Sequence, residues 1–385
     1  MRRNLTFLAI LVMVAGCNDK MPVAAPGGPV AGPVNGGGRI DDGLAPKELP
    51  KPPVALDQPK DLPAIHNGTD LSKEDPDDLV AMARSAAEKN DYKTALAAQF
   101  WSVKQGGDGH YDLACYYARN QMHSEAIYWI QKAAETEGVD ADHAAEDEDL
   151  LTLRRDPRWA GVHRFLWQCT AYWKASGKTT TLVFVPENFD KKKPSPVIVT
   201  LHGRGSRPDH FFGAGTQALA DALGIPFVCV SGTKPTGPKA FVWAVSGDGD
   251  AKRIDAALAE AADRITVAPG KAITIGFSEG AQVAVEVAAR DPEKYAGGIG
   301  MSPGADFFLD QVQPTAKLKE RRFVVTIGGK EHPGNVMLAR QDRDWLKKNA
   351  ASVNYITFPG IGHTLPADFS EQLPRWISYI LGEKK

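Results

Sequence analysis

The chain has 385 residues, 43% of them hydrophobic and 24% charged, with 45 basic and 47 acidic side chains and a formal net charge of −2. This is the profile of a soluble globular protein long enough for two or three domains, and so balanced a charge leaves no electrostatic footprint for a nucleic-acid partner. The four cysteines are too few for a disulfide framework, and none sits in a Cys-x-x-Cys or Cys/His cluster of zinc spacing, so no structural metal is expected.

The chain starts with Arg2 and Arg3 ahead of an apolar run from Leu5 to Ala15. Such a run is too short to span a bilayer and has the proportions of a signal peptide, here residues 1–16. It ends in Val14-Ala15-Gly16-Cys17, which resembles the lipobox of bacterial lipoproteins. The resemblance implies that Cys17 is acylated and becomes the N-terminus. The chain would then be held in the cell envelope by its lipid anchor alone, and Asn18 after the cysteine points to the outer membrane, facing the periplasm or the cell surface.

Met21 to Pro63 holds ten prolines and seven glycines in 43 residues with almost no apolar periodicity, which predicts an extended tether over 17–76. Helical periodicity follows over 77–166 in short paired segments, with breaks at Asn90-Asp91, Gly106-Gly107 and Asn120-Gln121. In the second pair Leu113, Ala114, Tyr117, Ala126, Ile130 and Ala133 stand at the large and small positions of a tetratricopeptide repeat. The first pair resembles that pattern less: Met82, Ala83 and Ala95 fit, whereas Ala86 and Gln99 stand where large apolar residues are wanted. Two readings stay open, a helical core without a partner and a module that binds a protein or peptide.

Beyond Gln168 the pattern becomes α/β. Strand-like runs at Thr180–Pro186, Val197–Leu201, Pro226–Val230, Ala272–Ile275, Gly297–Met301, Phe323–Ile327 and Asn354–Phe358 alternate with helical patterns such as Ala251–Arg264 and Ala281–Ala289. Continuous apolar strands between helices predict a mainly parallel sheet covered on both faces, in a domain spanning 180–385.

Gly276-Phe277-Ser278-Glu279-Gly280 fits Gly-x-Ser-x-Gly and lies between a predicted strand and a predicted helix, the setting of a nucleophile elbow. A serine hydroxyl needs a base to take its proton and a third group to orient that base. His363, in the glycine-rich Gly360-Ile361-Gly362-His363 after the last strand, is the candidate base. Glu331, in Gly328-Gly329-Lys330-Glu331-His332 after the preceding strand, is the candidate acid, with Asp306 and Asp310 as alternates. Leu201-His202-Gly203-Arg204-Gly205 ends a strand, so the backbone N–H groups of Arg204 and of Glu279 are candidate oxyanion donors, with His202 read as structural.

In order and in position relative to the strands, these motifs resemble the α/β-hydrolase superfamily, and within it the esterases related to polyhydroxybutyrate depolymerases, feruloyl esterases and dienelactone hydrolases. The resemblance covers about 180–385 and implies cleavage of a small-molecule or polymeric carboxylic ester through an acyl-enzyme, without metal or organic cofactor, and little room for a large lid between Gly304 and Arg321. Peptidases of the same fold share these motifs, and a helical-repeat binding scaffold with an idle hydrolase domain is the alternative from another class. Cys115, Cys169 and Cys229 are expected as buried thiols rather than a designed disulfide framework.

Overall fold

The computed structural model describes residues 45–210, 212–244 and 248–383; the N-terminal apolar run, Cys17 and the first part of the Pro/Gly-rich segment lie outside them. The rest of the segment expected as a tether lies against folded structure. Leu49, Val54, Leu56 and Leu62 pack on the helical core. Val54 exchanges two hydrogen bonds with the Gln131 side chain, at 3.2 and 3.0 Å. The buried Gln131 amide needs both partners, and an extended, proline-rich backbone has its own polar groups to offer. A small hairpin follows, β1 (Ile65–His66) and β2 (Thr69–Asp70), turned by Asn67 and Gly68, both at positive φ as an Asn-Gly hairpin turn requires.

Four helices then form two hairpins: α1 (Pro76–Glu88), α2 (Tyr92–Lys104), α3 (His110–Arg119) and α4 (His123–Thr136). Asp75 caps α1 by accepting from the N–H of Asp77, and Pro76 fills the first turn, where a missing N–H costs no helical bond. Leu113, Ala114, Tyr117, Ala126, Ile130 and Ala133 all sit in the core, as do Ala83 and Ala95, whereas Met82 is 36% exposed. Gln99 is buried where an apolar residue was wanted because its amide donates to the carbonyls of Asp108 and Gly109, tying α2 to the loop before α3. The short α5 (Ala141–Glu146) and the long α6 (Trp159–Ser176) complete this layer, which runs ten residues past the expected end at 166 because Phe165, Leu166 and Cys169 continue its buried face.

The remaining elements, in chain order, are β3 (Thr181–Phe184), β4 (Ser195–Leu201), α7 (Thr216–Leu223), β5 (Phe227–Val230), β6 (Lys234–Pro235), β7 (Phe241–Val242), α8 (Asp248–Glu260), β8 (Val267–Phe277), α9 (Glu279–Arg290), β9 (Tyr295–Met301), β10 (Arg322–Gly328), α10 (Pro333–Lys348), β11 (Ser352–Phe358) and α11 (Phe369–Leu381). Seven strands form one sheet in the order β11-β10-β9-β8-β4-β5-β3, parallel throughout except for β3 at its edge. Alternation along the strands sends Val197, Val199 and Leu201 to the face covered by α8, α9 and α10, and Ile198, Phe227 and Cys229 to the face covered by α7 and α11. This is the mixed α/β architecture, a mainly parallel sheet with helices on both faces behind an all-α region, that the sequence pattern predicts. Cys115, Cys169 and Cys229 are buried, and none is in a disulfide.

Connections from β4 and from β8 leave in opposite directions across the sheet, so a crevice opens between the carboxyl ends of these adjacent strands. The helical layer sits over that edge. The backbones of Gly138 and Gly237 cross so closely that a Cβ on Gly237 would fall 2.1 Å from the Gly138 Cα, and the N–H of Lys239 donates to the Glu137 carbonyl at 3.0 Å.

Candidate active site

Ser278 lies between β8 and α9 with φ +55° and ψ −124°, backbone space that L side chains rarely occupy and that costs about 1–3 kcal/mol. The turn is held from both sides: the Ser278 N–H donates to the Met301 carbonyl at 3.0 Å, and the Gly304 N–H donates to the Ser278 carbonyl at 3.1 Å. The flanking glycines are there for space. A Cβ on Gly276 would lie 2.0 Å from the Gly280 carbonyl oxygen, and one on Gly280 would lie 2.3 Å from that of Leu201. Strain, tight packing and a side chain that is only 4% exposed yet lines a cavity describe a serine held in one position.

Glu331 and His363 come from neighbouring loops. The N–H of Gly329 donates to the Phe358 carbonyl and that of Lys330 to the Ile361 carbonyl, both at 2.8 Å. A Cβ on Gly328 would strike the Gly362 carbonyl at 2.4 Å, so the loops after β10 and β11 meet backbone to backbone. Glu331 Oε2 accepts from His363 Nδ1 at 3.0 Å, while Oε1 accepts from the His332 N–H and from Asn335 Nδ2. Burial to 8% exposure would raise this carboxyl, but the hydrogen bond and charge of His363, with those two donors, overcome it and hold Glu331 below its ordinary value. With Nδ1 engaged, Nε2 is the ring nitrogen left to act on a substrate or nucleophile, and the ring packs on Phe277. Among the described residues no hydrogen bond joins Ser278 to His363; both line one cavity of about 140 Å³.

The turn after β4 is braced from below. His202 is 1% exposed, its Nδ1 within 2.6 Å of the Gly203 carbonyl and its Nε2 accepting from the Gly232 N–H at 2.8 Å. Burial lowers its pKa to about 4, so it is neutral and structural. Trp243 Nε1 donates to the His202 carbonyl, and the Trp243 N–H donates to Glu279 Oε2. Glu279 is 2% exposed, and burial raises its carboxyl to about 7 against the charge of Arg204 and the Trp243 N–H. As the first residue of α9, Glu279 presents an N–H without an intrahelical acceptor. The Arg204 side chain reaches across to the helical layer, where Nη2 and Nε meet Asp140 Oδ2 at 2.7 and 2.8 Å.

The structure thus brings Ser278, Glu331 and His363 to the carboxyl ends of three parallel strands, with Arg204 and Glu279 beside the serine. Asp306 and Asp310 are exposed and outside this cluster. Between Gly304 and Arg321 there are only two short 3₁₀ turns, Leu309–Gln311 and Ala316–Glu320. Sequence reasoning missed Asn335, whose spacing of four from Glu331 was a usable signal, and Trp243 and Asp140, for which no local signal exists. Among the described residues no cluster of His, Cys, Asp or Glu could hold a metal ion.

No protein-family model and no curated protein matches the chain. Solved structures similar to it include an uncharacterized protein from Bacillus cereus ATCC 10987, 15% identical over 80% of this chain and 99% of that one, with a TM-score of 0.43. The Bacillus cereus carboxylesterase is 17% identical over 55% of this chain and 99% of its own, with a TM-score of 0.43. Esterase PE8 is 18% identical over 53% of this chain and 99% of its own, with a TM-score of 0.42. These are distant likenesses of fold; in this chain's own mainly parallel sheet, Ser278 follows β8, Glu331 lies in the loop after β10 and His363 in the loop after β11.

Proposed function

We propose that this protein is a serine hydrolase that cleaves carboxylic esters through an acyl-enzyme. The observation that carries the reading is the hydrogen bond from His363 to the buried Glu331 carboxylate, with the His363 ring lining the same cavity as a serine held at positive φ between strand and helix. In the reaction Ser278 Oγ attacks the ester carbonyl while His363 Nε2 takes its proton, and Glu331 keeps Nδ1 protonated and stabilises the imidazolium. The N–H groups of Arg204 and Glu279 receive the developing oxyanion. His363 returns the proton to the departing alcohol, and water then releases the acid by the same steps. Burial raises the Glu279 carboxyl and so favours its neutral form beside that oxyanion.

The purified chain should hydrolyse short p-nitrophenyl esters and be labelled by a fluorophosphonate probe at Ser278. Neither labelling nor turnover across a series of acyl lengths overturns the reading and leaves a helical binding scaffold with an idle hydrolase domain. Turnover of peptide anilides in place of esters would instead assign a peptidase.

The N-terminal motif supports export and acylation at Cys17, which would place the enzyme on the outer membrane. Metabolic labelling with a fatty-acid analogue should mark the wild-type chain and leave Cys17→Ser unmarked; equal labelling of both would remove the anchor from this account.

A further inference from the structure

The cavity that holds Ser278 and His363 is closed on one side by the helical layer, whose Val80 and Arg84, one turn apart on α1, line it. Most of the charges around it are matched across the seam. Arg204 is paired with Asp140, Arg207 with Asp108 and Asp209, and Lys239 with Asp108. Asp112 and Glu137 also line the cavity, and neither is without a partner; Glu137 accepts from the N–H groups of Gly109 and His110. Arg84 differs. Its side chain is half-buried in the cavity wall, and among the described residues it forms no ion pair and no hydrogen bond.

A guanidinium is always charged at physiological pH and presents five donors in a planar fork that matches a carboxylate or phosphate. Half-buried, and with no ion pair or hydrogen bond among the described residues, it gives up hydration without a charge-assisted contact in return. An anion beside it would restore that loss through charge-assisted hydrogen bonds. Its position makes the anion part of the substrate, because the space in front of Arg84 is continuous with the space in front of Ser278. We propose that Arg84 binds an anionic substituent, carboxylate or phosphate, on one half of the ester, so that the helical layer supplies a specificity-determining residue of the hydrolase site. The inference rests on the esterase reading and narrows its substrate class from carboxylic esters to acidic ones.

The test compares kcat/KM of the full chain for the mono-p-nitrophenyl ester of glutaric acid and for p-nitrophenyl pentanoate, two acyl groups of similar length that differ in charge. Arg84→Gln should lower the ratio of acidic to neutral ester by roughly ten- to a hundredfold, mainly through KM, as expected for loss of a charge-assisted contact. Arg84→Lys should keep part of the preference, since charge survives without the fork. Competition by glutarate and by inorganic phosphate against the neutral ester shows which anion the site prefers. Calorimetric binding of glutarate separates the two levels of the proposal. Arg84-dependent glutarate binding without turnover of either ester would remove the esterase reading and leave the anion site. An unchanged substrate ratio with unchanged glutarate binding in Arg84→Gln would overturn the anion site and leave the esterase reading standing.

Discussion

Ser278→Ala is expected to lower kcat for a short p-nitrophenyl ester on the order of a millionfold, and His363→Ala by about the same amount, while the double variant falls no further. The reason is that nucleophile and base act as a unit. Without its base the Ser278 hydroxyl is a weak nucleophile, and without the serine the imidazole has no proton to take from the attacking oxygen. Residual turnover would come from the Arg204 and Glu279 N–H groups, which act on any oxyanion formed in the cavity. Stopped assays on the three variants, with fluorophosphonate labelling lost in Ser278→Ala, check this. Independent, multiplicative losses in the double variant would mean that the two side chains do not share one step.

Glu331→Gln is expected to cost on the order of ten-thousandfold in kcat, less than either of those because imidazole can still accept a proton while no longer held in the right tautomer. Asp306→Asn and Asp310→Asn should stay near wild type, since both side chains are exposed and away from His363. A stability signature accompanies the kinetic one. Because folding holds the Glu331 carboxyl below its ordinary value, the carboxylate contributes stability above the unfolded-state pKa, and that contribution disappears as pH falls through the folded value. Chemical denaturation should therefore find Glu331→Gln less stable than wild type at pH 7, with the gap narrowing in acid below the carboxylate range. A gap that is equally wide at low pH would assign the loss to packing rather than to the charge on Glu331.

The segments that were legible as a pattern are those whose local chemistry is self-sufficient. Each strand of the large sheet overlaps a run read from the sequence as strand-like, and the central strands, buried on both faces, are largely apolar. The elbow was legible for a steric reason, since the backbone approaches at Gly276 and Gly280 exclude any side chain. Glu331 and His363 follow their strands as the resemblance implies, and parallel strands bring loops far apart in sequence to one edge. The proline-rich segment was misread in its second half because composition counts prolines and glycines but does not register that Leu49, Val54, Leu56 and Leu62 meet an apolar surface contributed by other helices.

Taken alone, the sequence determined the alternation of strands and helices, the strained serine turn and the order of serine, acid and histidine, all set by constraints within a few residues or by the chirality of parallel crossovers. Only the tertiary structure decided what lies in front of the serine. Asp140 reaching Arg204, Asp108 reaching Lys239 and the crossing of Gly138 with Gly237 join residues more than sixty positions apart. No periodicity encodes such pairs: helical repeats specify which face of each helix is buried, while the placement of the whole layer depends on shape and charge matched across a seam. That seam turns the helical layer into a wall of the cavity lined by Ser278 and His363 and puts Arg84 on the same lining.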